Sequence, residues 1–208
     1  MDIWGKIFAA GYDRFLAPTE KAGLAGHRER LLVTATGRVL EIGGGTGANL
    51  PYYGDGVAEL VIAEPAEAMA RRLERKLPGY RIPTRILHAR AEQLPLETGS
   101  FDCVVSTLVL CTVEDPSEAL AEVRRVLKSQ GRLLFIEHVR SDDPKVAGWQ
   151  DRLRRPWAWF GCGCQCNRRT AESIHVAGFS LAELRQDKLA KAPPLVRSVI
   201  VGAAARGG

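Results

Sequence analysis

The sequence has no apolar run near the roughly 18–20 residues that cross a bilayer, and no dense stripe of Lys and Arg along its 208 residues. The first absence argues against an integral membrane segment. The second argues against a nucleic-acid partner, since 29 basic and 24 acidic residues leave a net charge of only +5, spread along the chain. The five cysteines are an odd number, with three crowded into one stretch. A secreted disulfide framework is therefore not expected, and a reducing cytosol is. Asp2 and Lys6 interrupt the apolar start and no cleavage-site pattern follows, so no signal peptide is expected. No G-x-x-x-x-G-K-S/T phosphate loop occurs. What remains, 46% hydrophobic and 25% charged, is ordinary globular composition.

Strand and helix signals alternate from residue 37 onward. Apolar strands are expected at 37–42, 60–63, 85–88, 101–110 and 131–136, with further extended stretches at 179–184 and 195–205. A helix is expected at 66–77, where Met69, Leu73 and Leu77 recur at four-residue spacing. Another opens at Pro116, with Leu120, Val123 and Leu127 on one face. Apolar strands joined through helices imply an α/β fold: a doubly wound, Rossmann-like, seven-stranded, mostly parallel sheet with helices on both faces. One domain is expected over 1–208. It comprises a helical cap (1–36, with the stripe Ile3, Trp4, Phe8, Tyr12 and Phe15), a core (37–138), a Trp- and Arg-rich lid (139–169) and a closing helix and strands (170–208).

The first strand runs into Glu41-Ile42-Gly43-Gly44-Gly45-Thr46-Gly47. Glycines there let the chain turn sharply and let a ligand approach the backbone. A helix starting near Thr46 would add free N–H groups. Gly43, Gly45 and Ala48 also satisfy the loose dinucleotide pattern, so glycine spacing alone leaves the cofactor open. Glu41 tips the balance, because a carboxylate before the loop repels a pyrophosphate and attracts an ammonium group. S-adenosyl-L-methionine carries such an ammonium and no phosphate. Glu64, 17 residues beyond Gly47 at the next strand's end, is placed to accept both ribose hydroxyls, as it would for any nucleoside.

On these residues the chain resembles the class I S-adenosylmethionine-dependent methyltransferases, most strongly over 35–140. Leu40-Glu41-Ile42-Gly43-Gly44-Gly45-Thr46-Gly47 is similar to that family's first motif, and Ala63-Glu64-Pro65 with Met69 to its ribose-binding segment. Ala91-Glu92-Gln93-Leu94-Pro95 resembles the segment that meets adenine, and Phe101-Asp102 into Ser106-Thr107-Leu108 the strand beside the reactive centre. Many relatives carry Asp before the Ala-Glu pair; Arg90 stands here and leaves that contact to the Ala91 backbone. A narrower resemblance rests on Thr107-Leu108-Val109-Leu110-Cys111, on Glu137-His138-Val139, and on Gly163-Cys164 with Asn167-Arg168. It is to the ubiquinone/menaquinone-type group and, within it, to the alkyl thiol methyltransferases called methyltransferase-like protein seven. The hydrophobic anchor of the vertebrate members is not found here, so membrane attachment is not carried over.

The resemblance implies S-adenosyl-L-methionine as cofactor and methyl transfer to a small hydrophobic acceptor, first of all a thiol. Alternatives are a lipid or quinone acceptor at a membrane surface, and a non-catalytic cofactor- or metal-binding module. Displacement at a sulfonium carbon chiefly needs alignment and exclusion of water. A thiol, with a pKa of about 8.5, is already partly ionised at neutral pH, which agrees with the lack of an obvious base constellation. His138, at the fifth strand's end, is the candidate base, or else a histidine satisfied by a backbone group. Tyr12 and Asp13 match a pair that helps close the cofactor pocket in this group. Cofactor contacts are expected from Glu41, Gly43, Gly44, Gly45, Gly47, Glu64, Pro65, Met69, Ala91, Glu92 and Thr107.

The acceptor is expected to meet Leu108, Cys111, Trp157 and Arg168, under a lid of Trp149, Trp157, Trp159 and Phe160. Arg152, Arg154, Arg155, Arg168 and Arg169 are available to an anionic substrate or a peripheral membrane contact. Cys162, Cys164 and Cys166 form C-x-C-x-C without the second pair that a zinc site requires, so no metal is expected. The chain is expected to act on a small molecule as a monomer or homodimer.

Overall fold

The computed structural model describes residues 3–207, with side chains from residue 5 onward. Ile3 and Trp4 of the expected N-terminal stripe therefore lie outside the described side chains. Seven strands form one sheet in the order β3-β2-β1-β4-β5-β7-β6. They are β1 (Gly37–Ile42), β2 (Val57–Ala63), β3 (Thr84–Leu87), β4 (Phe101–Thr107), β5 (Leu127–His138), β6 (Phe179–Lys188) and β7 (Ser198–Arg206). The first five pair in parallel. Strand β7 runs antiparallel between β5 and β6.

Alternate residues of the central strands feed two separate cores, as burial of both sheet faces requires. Leu40, Val104 and Leu133 pack on one side with Leu120 and Val123. Val39, Val105 and Leu134 pack on the other with Leu32, Leu60 and Leu73. The helices covering these faces are α1 (Ile3–Thr19), α2 (Ala25–Leu32), α3 (Glu67–Glu74), α4 (Pro116–Val126), α5 (Pro144–Phe160) and α6 (Thr170–Val176). Two of them start on an Asp-Pro step. The Asp115 carboxylate accepts the Ser117 N–H at 2.7 Å, and Asp143 accepts the Lys145 N–H at 2.8 Å. In each case the proline follows at a position where no N–H is needed.

Two local expectations change, and the cap gains detail. No α-helix begins at Thr46; the chain turns through 46–49 into a short 3-10 helix at Leu50–Tyr52. The Gly47 N–H donates to Gly44 O at 2.9 Å and the Tyr52 N–H to Asn49 O at 3.0 Å. Pro51 supplies no N–H and disfavours the α conformation at Leu50, which stops a longer helix from forming. The N-terminal cap is helical, in two pieces. A wider turn at Glu20–Leu24, with Gly23 at φ 149°, separates α1 from α2. Strand β4 ends at Thr107 instead of running to residue 110, because Leu108 adopts φ 60° and the chain turns toward Glu137.

Candidate active site

The carboxyl ends of β1, β2, β4 and β5 open into a cavity of about 1150 Å³. Strand order reverses between β1 and β4, and this is where doubly wound sheets hold ligands. Helix α1 and the end of α5 roof it. Phe15 meets Phe160 edge-on at 6.2 Å between ring centres, and Trp157 lies 5.8 Å from Phe160.

At one end, Glu64 lies on the cavity wall with 6% of its surface exposed. Its Oε2 accepts the Gly45 N–H at 2.7 Å and its Oε1 the Ala66 N–H at 2.8 Å. Burial pushes this carboxyl up, against the pull of the two backbone donors. Each oxygen keeps an acceptor site for a ribose hydroxyl. Gly45, at φ 54°, leaves open space where a side chain would stand, and Gly43, at φ 60°, could not carry a Cβ without striking Val109. Pro65, Met69, Ala91, Glu92 and Thr107 complete this wall. An acidic acceptor beside bare backbone fits the nucleoside part of S-adenosylmethionine. On the rim, Arg90 pairs with Glu114 at 2.9 Å and with Glu92 at 3.4 Å, while Glu92 accepts the Glu114 N–H at 2.7 Å.

Glu41 takes a different position from the one expected. Its carboxylate is not part of the cavity wall; Oε1 accepts the Asn49 side-chain N–H at 2.9 Å and Oε2 the Tyr53 hydroxyl at 2.7 Å. Asn49 also donates to the Thr107 hydroxyl at 3.1 Å and receives the Arg28 guanidinium, which pairs with Glu20 at 2.9 Å. Burial pushes Glu41 up to about 7. A direct attraction for an ammonium at the loop's mouth is thus replaced by a hydrogen-bonded acid that braces the loop from behind. Gly44 and Gly47 stand behind the loop too, against Ile62 and Leu73. Asp13 is likewise turned away: it accepts the Thr46 hydroxyl at 2.5 Å and pairs with Lys76 at 3.4 Å. It latches α1 to the glycine loop.

The other end joins Tyr12, Leu108, Cys111, His138, Trp157 and Cys164. Desolvation pushes Tyr12 up to about 12, so its phenol stays protonated. Desolvation also takes His138 down to about 4, against the pull of a hydrogen bond to the Val196 backbone, so the ring is held by a backbone group while its buried Nδ1 has no hydrogen-bond partner. At neutral pH this ring is uncharged. Next to it, Glu137 is fully buried and accepts the Ser106 hydroxyl at 2.6 Å, the Val109 N–H at 3.0 Å and the Cys111 N–H at 3.3 Å. Those bonds fold residues 108–111 into the cavity wall. Arg168 does not line the cavity; it donates to Leu110 O at 2.5 Å and Val113 O at 2.6 Å, holding the same segment from its far side.

Sequence reasoning passed over Arg28, Asn49, Tyr53 and Gln150, and named Glu137 only as part of a motif, without a role. Gln150 is fully buried, and its side chain accepts the Ser141 N–H at 2.8 Å and donates to Cys166 O at 2.9 Å. Glu137 was findable, since an acid inside the apolar run Phe135-Ile136-Glu137 has to be satisfied by buried donors.

The methyltransferase domain family model matches residues 40–135. Over 177 residues the chain is 35% identical to human thiol S-methyltransferase TMT1B, a match covering 82% of this chain and 70% of that one. The chain belongs to this methyltransferase family. The rat protein of the same name is 37% identical over 150 residues, 70% of this chain and 61% of that one. The methyltransferase therefore spans between 61% and 70% of the length of these two relatives. A SAM-dependent methyltransferase of Thermotoga maritima shares the fold, with a TM-score of 0.72 at 22% identity over 99% of this chain and 100% of that one. S-adenosylmethionine is the cofactor of this family, and Glu64 with the bare loop backbone suits it. Among the described residues no helix is long and apolar enough to cross a membrane.

Proposed function

We propose that the protein methylates the sulfur of small hydrophobic thiols. Glu41, Asn49 and Tyr53 fix the glycine loop, and Glu64 accepts the ribose hydroxyls. When bound, S-adenosylmethionine supplies an activated methyl group on a sulfonium. Aromatic rings from α1 and α5 exclude water above it and offer the acceptor an apolar surface. His138 and Tyr12 orient the sulfur by hydrogen bonding while remaining neutral.

One observation carries the choice of acceptor. The candidate base at this end, His138, is held at about 4. It is too weak to deprotonate a phenol of pKa about 10, whereas a thiol ionises by itself to a useful extent near neutrality. The names of the human and rat relatives support the same reading.

A panel of thiols, phenols, amines and lipids with labelled S-adenosylmethionine tests it. Hydrophobic thiols should turn over fastest, with rates rising as each thiol ionises. Preference for phenols or amines would overturn the assignment.

A second reading, methylation of a lipid or quinone at a bilayer surface, draws on exposed aromatic rings of α1 and α5. Phe15, Trp149 and Trp159 are 50%, 57% and 70% exposed, and the Arg152 guanidinium sits 5.8 Å from the centre of the Trp149 ring. Co-sedimentation with anionic vesicles, together with an inert thiol panel, would favour it over the first.

A further inference from the structure

The three cysteines of C-x-C-x-C do not act as a unit. Cys162 is exposed, and the Cys166 thiol turns to Gln150 O at 4.0 Å. Cys164 instead meets Cys111, from a distant part of the sequence, with 3.8 Å between sulfurs. Both line the acceptor end of the cavity. Two constraints keep them opposed: Glu137 holds the Cys111 N–H at 3.3 Å, and the Gln165 N–H donates to Cys111 O at 2.7 Å. Among the described residues no group of three or more His, Cys, Asp or Glu side chains converges as a metal cage would need. The pair is thus a dithiol on a cavity wall. A disulfide requires the two sulfurs to close from 3.8 Å to about 2.05 Å.

We propose that Cys164 and Cys111 reduce small hydrophobic disulfides inside the cavity and so deliver the thiol that is methylated there. This deepens the S-methylation reading and rests on it for the fate of the thiol. The Cys164 thiolate attacks one sulfur of the disulfide RS–SR; the S–S bond breaks and RS⁻ leaves, taking up the proton that Cys164 gave up. The Cys111 thiolate then attacks the Cys164 sulfur of the mixed disulfide, and the second RS⁻ leaves with the Cys111 proton. One disulfide and two cysteine thiols become two thiols and a Cys111–Cys164 disulfide. The incoming disulfide is the oxidant, and a dithiol reductant resets the pair.

The division of labour follows from the contact itself. The contact with Cys111 and the Trp157 indole hold Cys164 below the ordinary thiol range against burial, while the same contact and burial push Cys111 well up. Thiol–disulfide exchange needs an accessible thiolate to attack first. Cys164, at 7% exposed against 1% for Cys111, is the more accessible of the two.

The test uses reduced protein freed of reductant and carrying Cys162→Ser, so that the exposed thiol does not react. It is mixed with excess diphenyl disulfide without S-adenosylmethionine. Two equivalents of thiophenol per chain, a mass lower by two hydrogens and a peptide joining Cys111 to Cys164 are expected. Adding Cys111→Ser should halve the release and leave a phenylthio adduct on Cys164. Both cysteines staying reduced, or a lasting adduct where Cys111 is present, would overturn the proposal. Free thiophenol with labelled S-adenosylmethionine is assayed in parallel. Methylation of thiophenol without dithiol oxidation overturns the disulfide step and leaves S-methylation standing. Dithiol oxidation without methylation upholds the couple and overturns the thiol acceptor.

Discussion

At the cofactor end of the cavity, Glu20, Arg28, Asn49, Glu41 and Tyr53 form a continuous buried chain of hydrogen bonds behind the glycine loop. At the acceptor end, the wall is made of aromatic rings and two thiols, and the His138 Nδ1 has no partner. The first arrangement fixes backbone donors and one carboxylate before any ligand arrives, which suits a single obligatory ligand. The second offers shape and apolar surface with few fixed polar groups, which suits a range of acceptors. On the proposed reading, specificity is expected to be concentrated on the nucleoside and relaxed on the nucleophile.

The sharpest way to break that contrast is Glu64→Ala. The substitution removes the acceptor of the Gly45 and Ala66 N–H groups and, on the proposed reading, of the ribose hydroxyls. With hydrogen bonds to a charged group contributing about 1.5–3 kcal/mol each, affinity for S-adenosylhomocysteine should fall about 100-fold or more by calorimetry. An unchanged affinity would place the nucleoside elsewhere.

Glu41→Gln probes the chain behind the loop through pH. With its pKa raised to about 7, Glu41 keeps a proton in the folded state that the unfolded chain loses above about 4.5. Its contribution to stability is full below that value and is lost as pH rises through 7. Glu64 and Glu137 are shifted the same way. His138, taken down to about 4, works oppositely: its contribution is present above about 6.5 and is lost as pH falls through 4. Between pH 5 and 8 the wild type should lose about 2 kcal/mol relative to Glu41→Gln, read as urea midpoints at each pH. Parallel pH curves for the two proteins would overturn the raised pKa assigned to this buried acid.

On the acceptor side, Trp157→Ala should raise KM for bulky hydrophobic thiols about tenfold, the scale of burying one large apolar side chain. S-adenosylhomocysteine affinity should change much less. Equal losses in both would mean that the two ends of the cavity are not separate.

The sequence made the glycine loop, Glu64 and the mostly parallel seven-stranded sheet legible, because apolar runs and glycine turns are local signals tied to backbone geometry. It made His138 visible as a residue at a strand end, but not the burial that keeps it neutral. Glu41 was read for its charge, whereas its role depends on Asn49 and Tyr53 reaching it from the turn beyond the loop. Arg168 and Cys164 show the same limit. Each acts on the segment around residues 110–113, more than fifty residues away, and no spacing rule links such distant positions. Local pattern reports where the backbone turns; partnership between far side chains awaits the fold.

The smallest effect is expected from His138→Asn, and it bears most directly on the contrast. Because His138 is neutral throughout pH 5–8, it contributes no ionisation to the rate profile in that interval. Thiol turnover in the variant should stay within about threefold of wild type, and kcat/KM should keep climbing with pH as the substrate thiol ionises. A pH limb present in the wild type and absent from the variant would show His138 taking the proton itself. The acceptor end would then be organised around a fixed polar group, as the cofactor end is around Glu64, and phenols would become competent acceptors.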